Sequence, residues 1–334
     1  RHPHTSMEAL RIAALVGGLV RAYAMSLQGA ARGLDRPAAA VSRFVVISMQ
    51  RSGTGLLDSS LDSHPCISMV GEPFCCSEFW DAAKRQRAVQ LLFDERAAAR
   101  SAEDDALLRS APQQYQGCYS GLRSRTGYWS NGSKTGDVRG FDWKMNQGLF
   151  ESWPWLVEFC KEHNVKILWL RRRNLLRQYV SNEALHASKT AHAYTRRDAR
   201  ALGKEKTTLD ISRMLYMLDL WKTWNSRMEG LLSEASAAGV QALRLKYEDL
   251  VQTPELFDAA KQLVMRGSEC AIPVGSKHDN AMVKKVHKGS LTDLIENWDE
   301  VRRALQGTKF AWLLQDNVSD HEALVAFFQT GRSH

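Results

Sequence analysis

The chain has 334 residues, 44% of them hydrophobic and 25% charged, which supplies one large core and excludes wholesale disorder. Its formal net charge of +8 favours anionic ligands but leaves nucleic acid, an acidic membrane and a phosphorylated small molecule equally open. Six cysteines, at positions 66, 75, 76, 118, 160 and 270, form no C-x-x-C pair, and in a chain of this length they are expected to be unpaired thiols.

Residues 12–20 (IAALVGGLV) are apolar but fall short of the roughly 20 residues that a membrane-spanning helix needs. The surrounding segment is rich in Ala and Arg, so residues 1–40 read as an N-terminal extension, either helical or targeting. The compartment stays open between cytoplasm and an organelle or Golgi lumen. Sequons at Asn131 and Asn317 would matter only in a secretory compartment. No internal repeat or long linker follows, so residues 41–330 are expected to form a single domain.

Phe44–Ser48 is a continuous apolar run ending in small polar residues, the pattern of a buried parallel strand. Leu56, Leu57 and Leu61 then fall at helical spacing over 54–63, and His64-Pro65 ends that helix. Further strands are predicted over 67–70, 139–145, 165–170 and 242–246. Helical spacing marks 174–187, 207–233, 253–265 and 291–305. Strands alternating with helices predict an α/β fold, a three-layer sandwich around a mostly parallel sheet. Ligands in such sheets bind beyond the carboxyl ends of the strands.

One such end is Gln50-Arg51-Ser52-Gly53-Thr54-Gly55. Small residues there let backbone N–H groups approach an anion at a helix N-terminus, and Arg51 adds a full charge. The G-x-x-x-x-G-K-[ST] loop of nucleotide hydrolases is absent. A second end is Arg171-Arg172-Arg173, followed by Arg177 and Ser181. Four arginines within seven residues are costly to crowd unless an anion or acids compensate. Ser181 lies eight positions after Arg173, about two helical turns.

Together these two segments resemble the PAPS-dependent sulfotransferases, and Lys246-Tyr247-Glu248-Asp249-Leu250 is similar to a third segment of that family. The resemblance implies a P-loop-like sulfotransferase fold and 3′-phosphoadenosine 5′-phosphosulfate (PAPS) as co-substrate, with no metal. It implies that Arg51, Ser52, Gly53 and Thr54 hold the 5′-phosphosulfate. Gly55 stands where the family often has a hydroxyl residue. Arg173 and Ser181 would grip the 3′-phosphate, with Tyr247 near the nucleotide and Lys285, Lys288 and Gly289 on a closing loop. Gly71-Glu72-Pro73 matches the position of an acid in carbohydrate and tyrosylprotein sulfotransferases, making Glu72 the expected general base. Lys144 ends a predicted strand as the expected cation for the sulfonate or leaving oxygen, with Asp142 on the same strand face.

The acceptor is expected to be small, polar or carbohydrate-like, with an amine left open; neither nucleic acid nor a stable membrane span is expected. Residues 186–206 are a candidate acceptor loop, and Trp153, Trp155, Trp221 and Trp224 are candidates for sugar stacking or core. Two other readings stand beside this one: a nucleotide kinase or NTPase, and a non-catalytic module for anions or glycans.

Overall fold

The computed structural model describes residues 41–74, 81–93, 101–104, 107, 138–188, 206–270, 274 and 289–315. Five strands form its sheet: β1 (Ser42–Ser48), β2 (Ile67–Met69), β3 (Val138–Lys144), β4 (Val165–Arg171) and β5 (Ala242–Lys246). Their order is β2-β3-β1-β4-β5, and every pairing is parallel. The sheet is therefore wholly parallel where the sequence predicts mostly parallel. Chain connections run to both sides of β1, so the crevice at its carboxyl end is the topological switch point.

Alternation along the strands builds two apolar layers. Phe44, Val46, Leu168, Leu170, Leu243 and Leu245 point to one face, against α1 (Thr54–Asp62) and the helix Glu255–Met265. Val45, Ile47, Phe141, Trp143, Ile167 and Trp169 point to the other. There they meet α2 (Ala82–Phe93), α3 (Phe150–Glu162), α4 (Leu175–Ser188) and α5 (Ile211–Ala237). Burial of each such side chain contributes about 1.5–3 kcal/mol, so the strands that carry the site are firmly anchored. Trp153 and Trp221 are buried in the second layer and Trp155 and Trp224 pack against it, so all four serve the core.

The chain after β5 departs from the sequence spacing in one place. Residues 291–305 read as one helix, but they form two, α8 (Leu291–Leu294) and α9 (Trp298–Leu305), after α6 (Tyr247–Gln252) and α7 (Glu255–Met265). Ile295 is extended between them because Thr207 pairs with the backbone there, donating its N–H to Leu294 and accepting from Glu296. For the same reason α5 starts at Ile211, four residues later than the spacing predicts, with Asp210 accepting the Arg213 N–H as its cap.

The cysteines also depart from expectation. Cys66, just before β2, is disulfide-bonded to Cys270, beyond α7, across 204 residues. Cys160 is a free buried thiol, as expected. Among the described residues no helix is long and apolar enough to cross a membrane.

Candidate functional site

β1 ends at Ser48, and the chain turns through Arg51 (φ 62°) and Gly53 (φ 94°) before α1 begins at Thr54. Two left-handed residues in close succession fold the loop back on itself, and Gly53 carries that conformation without steric cost. The position also lacks room, because a Cβ on Gly53 would lie 2.2 Å from Cδ2 of Tyr247. Ser52 is fully buried, its Oγ accepting from Gln178 Nε2 at 3.3 Å, while the same amide donates to Gln50 O at 2.7 Å.

The two motifs, 130 residues apart in sequence, meet here. Arg51 Nε donates to Ser181 Oγ at 3.0 Å, and Arg172 Nη1 donates to Arg51 O at 3.3 Å. The Arg172 guanidinium lies 4.9 Å from the centre of the Tyr247 ring. Its Nε is buried without a hydrogen-bond partner among the described residues. Burial, with Arg172 adjacent, pushes Arg51 down to about 10. Burial likewise lowers Arg172 and Arg173, partly offset by nearby acids. Cations so crowded and desolvated would gain from a bound anion.

Arg173 Nη2 is paired with Asp249 at 2.6 and 2.8 Å, and its backbone N–H donates to Glu248. The Tyr-Glu-Asp segment thus holds the end of β4 in place. Arg177 donates to the backbone carbonyl of Gly289 at 3.1 Å, which brings that residue to the same rim. Lys285 and Lys288 lie outside the described residues, as do 189–205 of the candidate acceptor loop.

On the opposite side of the turn between β1 and α1 stand Glu72 and Lys144. The segment after β2 continues along β3, with Val70 N–H donating to Gly140 O and Asp142 N–H to Gly71 O at 2.6 Å. This carries Glu72 to the carboxyl end of the sheet, where its carboxylate lies 3.9 Å from Lys144 Nζ and accepts from Gln147 Nε2. The Glu72 side chain keeps 27% exposure, against 3% for Lys144. Burial raises its carboxyl above the ordinary range, Lys144 opposes the shift, and Asp142 adds to it. Lys144 Nζ donates to Thr54 Oγ1 at 2.6 Å, to Ser48 Oγ at 2.9 Å and to Asp142. Burial alone would lower Lys144, but Asp142, Glu72 and Asp58 hold it above its usual value.

The structure thus brings Arg51, Ser52, Gly53, Thr54, Ser181, Tyr247, Glu72 and Lys144 to one end of the sheet. Sequence reasoning missed Asp58, Gln147, Gln178 and the specific part of Arg172. It also missed the meeting of His64 with the two disulfide sulfurs.

A sequence model described as "Sulfotransferase family" matches residues 43–257. No curated protein matches by sequence search. Among solved structures, the chain is similar to a sulfotransferase from Alicyclobacillus acidocaldarius at 13% identity and a TM-score of 0.35, covering 86% of this chain and 99% of that one. It is also similar to the sulfotransferase domain of the Synechococcus PCC 7002 olefin synthase at 15% identity and a TM-score of 0.36, covering 89% and 98%.

Proposed function

The chain belongs to the sulfotransferase family, and from that membership we propose that it moves a sulfuryl group from PAPS to a hydroxyl of a small polar or carbohydrate-like acceptor. The observation that carries this reading is the Arg51–Ser181 contact, which joins the two anion motifs into one cradle beside a base and a buried lysine. The cradle fits a bis-phosphorylated donor. Its arginines are desolvated and crowded, Arg172 Nε is unpartnered among the described residues, and Gly53 leaves no room for a side chain.

In this reading Arg51, Ser52, Gly53, Thr54 and the Gly55 backbone hold the 5′-phosphosulfate end. Arg173 and Ser181 hold the 3′-phosphate, with Gly289, Lys285 and Lys288 on that side. When bound, PAPS supplies the sulfuryl group by in-line displacement and departs as adenosine 3′,5′-bisphosphate. Glu72 takes the proton of the acceptor hydroxyl, its raised affinity for protons suiting that task. Lys144 directs its hydrogens to Ser48, Thr54 and Asp142, so it acts as a fixed charge behind Thr54 and beside Glu72. Residues 41–330 would then form one catalytic domain.

Calorimetry with adenosine 3′,5′-bisphosphate tests the cradle. Binding is expected for the unaltered protein and none for Arg51→Ala; an unaltered protein that takes up no bisphosphate overturns the reading. An acceptor screen with PAPS, read by mass spectrometry of the desulfonated donor, tests the chemistry. Binding without transfer to any acceptor would favour the non-catalytic module instead.

A further inference from the structure

Beneath the phosphate loop lies a carboxyl group that none of the roles above uses. Asp58 sits one helical turn after Thr54 on α1 and is 5% exposed. Its Oδ1 is buried with no hydrogen-bond partner among the described residues. Positions four apart share a helix face, so Asp58 stands below the Thr54 hydroxyl that receives Lys144.

The charged groups facing it are Asp142 and Lys144 on β3, Glu72 on the segment after β2, and Asp62 on its own helix. Three of these carboxyl groups, Asp58, Glu72 and Asp142, act on the one ammonium of Lys144. Asp62 is accounted for, since it accepts the Met69 N–H at 3.1 Å. Glu72 has Gln147 and partial exposure. Asp142 is bonded to Lys144 and accepts from Ser48 Oγ at 3.4 Å. Asp58 alone of the four has no donor at its buried oxygen, and Asp142 is the charged group that acts on it most strongly. A carboxyl so buried, with no donor at its enclosed oxygen and the lysine of the cluster already bound to Asp142, cannot ionise cheaply; a proton of its own resolves the conflict.

We propose that Asp58 holds a proton in the resting protein, and that it is thereby a positioning residue that keeps the floor of the phosphate loop from repelling an anionic donor. Burial and the Asp142 charge both raise Asp58 well above the ordinary carboxylate range, in keeping with that state. That proton stands on the burial of Asp58 and its unpartnered oxygen; its consequence for donor affinity rests on the PAPS reading. When alkali removes the proton, an extra negative charge appears under Thr54. Lys144 then has two carboxylates to satisfy in place of one.

Infrared spectroscopy tests the proton without any ligand. At neutral pH the protein should show the carbonyl stretch of a protonated carboxyl. The band should move on 13C-aspartate labelling, which separates it from Glu72, and vanish in Asp58→Asn. A spectrum lacking that band, or one that keeps it in Asp58→Asn, overturns the proposal. The unaltered protein alone decides the first point, so a variant that folds poorly does not remove the test. Calorimetry with adenosine 3′,5′-bisphosphate at pH values on either side of the loss of that band tests the consequence. Affinity should fall roughly tenfold more in the unaltered protein than in Asp58→Asn, the effect of one charge at about 8 Å in a partly screened site. Parallel pH profiles for the two proteins would overturn the positioning role. If neither binds the bisphosphate while the band is present, the donor reading fails and the positioning role falls with it, but the Asp58 proton stands.

Discussion

Glu72 combines two properties that a general base needs, since it stays partly open to an acceptor and its carboxyl is held above the ordinary range. Glu72→Gln keeps the hydrogen-bonding shape and removes the basic lone pair. Single-turnover transfer should slow by about 10²- to 10⁴-fold, the usual contribution of such a group. Bisphosphate affinity should stay within about threefold, because Gln147 and Lys144 still anchor the side chain. A variant that turns over at the original rate would remove Glu72 from the chemistry. Glu72, Arg51 and Gly53 are legible in sequence because their signals are local: a strand, a sharp turn, a charged or flexible residue at its end. Asp58 is not. On sequence alone it is one more polar residue of an amphipathic helix, and only the packing of α1, which sets Thr54 on Lys144, turns it into a buried carboxyl beneath the site.

Between elements, the Tyr247 ring is held between Gly53 and the Arg172 guanidinium, whose Nη1 also fixes the Arg51 carbonyl. The start of α6 thereby braces the turn between β1 and α1. Packing of this kind needs the ring and not the hydroxyl, so Tyr247→Phe should bind bisphosphate as the unaltered protein does. Tyr247→Ala should lose about tenfold, comparable to a desolvated cation–π contact plus the buried ring face. Calorimetry on the pair separates bracing from direct contact; a Phe variant as weak as the Ala variant would assign the role to the hydroxyl. Strand positions are legible because each strand is a short apolar run between breakers. The helix over 291–305 is misread because its apolar spacing continues through Ile295, while the backbone bonds from Thr207 that interrupt it come from 88 residues away. α2 escapes the spacing analysis because its Lys84, Arg85, Arg87 and Gln86 crowd the first turns. α3 escapes it because Pro154 lies inside the helix.

For the molecule as a whole, the disulfide closes the longest covalent loop in the described structure. Pairing across 204 residues leaves no trace in local spacing, so the expectation of unpaired thiols at Cys66 and Cys270 had no local signal against it. Chain entropy assigns such a cross-link about 5 kcal/mol of stabilisation. Reduction, or Cys270→Ser, should therefore lower the urea midpoint markedly. Alkylation mapping that finds both sulfurs free in the folded protein would remove the cross-link and this expectation together.

Stability should also carry the signature of the buried carboxyl cluster. Asp58, Glu72 and Asp142 are all raised above their ordinary values, chiefly by burial. An unfolded chain releases these protons near pH 4, whereas the folded protein keeps them to higher pH. Between those limits the folded state binds more protons, so stability contributed by these groups is complete below the ordinary value and declines as pH rises toward the folded one. Each group can contribute a slope of up to about 1.4 kcal/mol per pH unit inside its own window and none outside it. Asp58→Asn deletes one such contribution without changing the side chain's shape. Its stability relative to the unaltered protein should therefore increase as pH rises from about 4, then level off once Asp58 ionises in the folded protein. Urea melts in steps from pH 5 to pH 8.5 measure that difference directly. Asp104 and Asp293 are shifted downward and work in the opposite direction, but both are untouched by the substitution and cancel in the comparison. A difference that stays flat with pH would mean that Asp58 ionises as readily in the folded protein as in the unfolded chain, and a carboxylate so placed would have to draw compensation from Lys144 at the expense of Asp142.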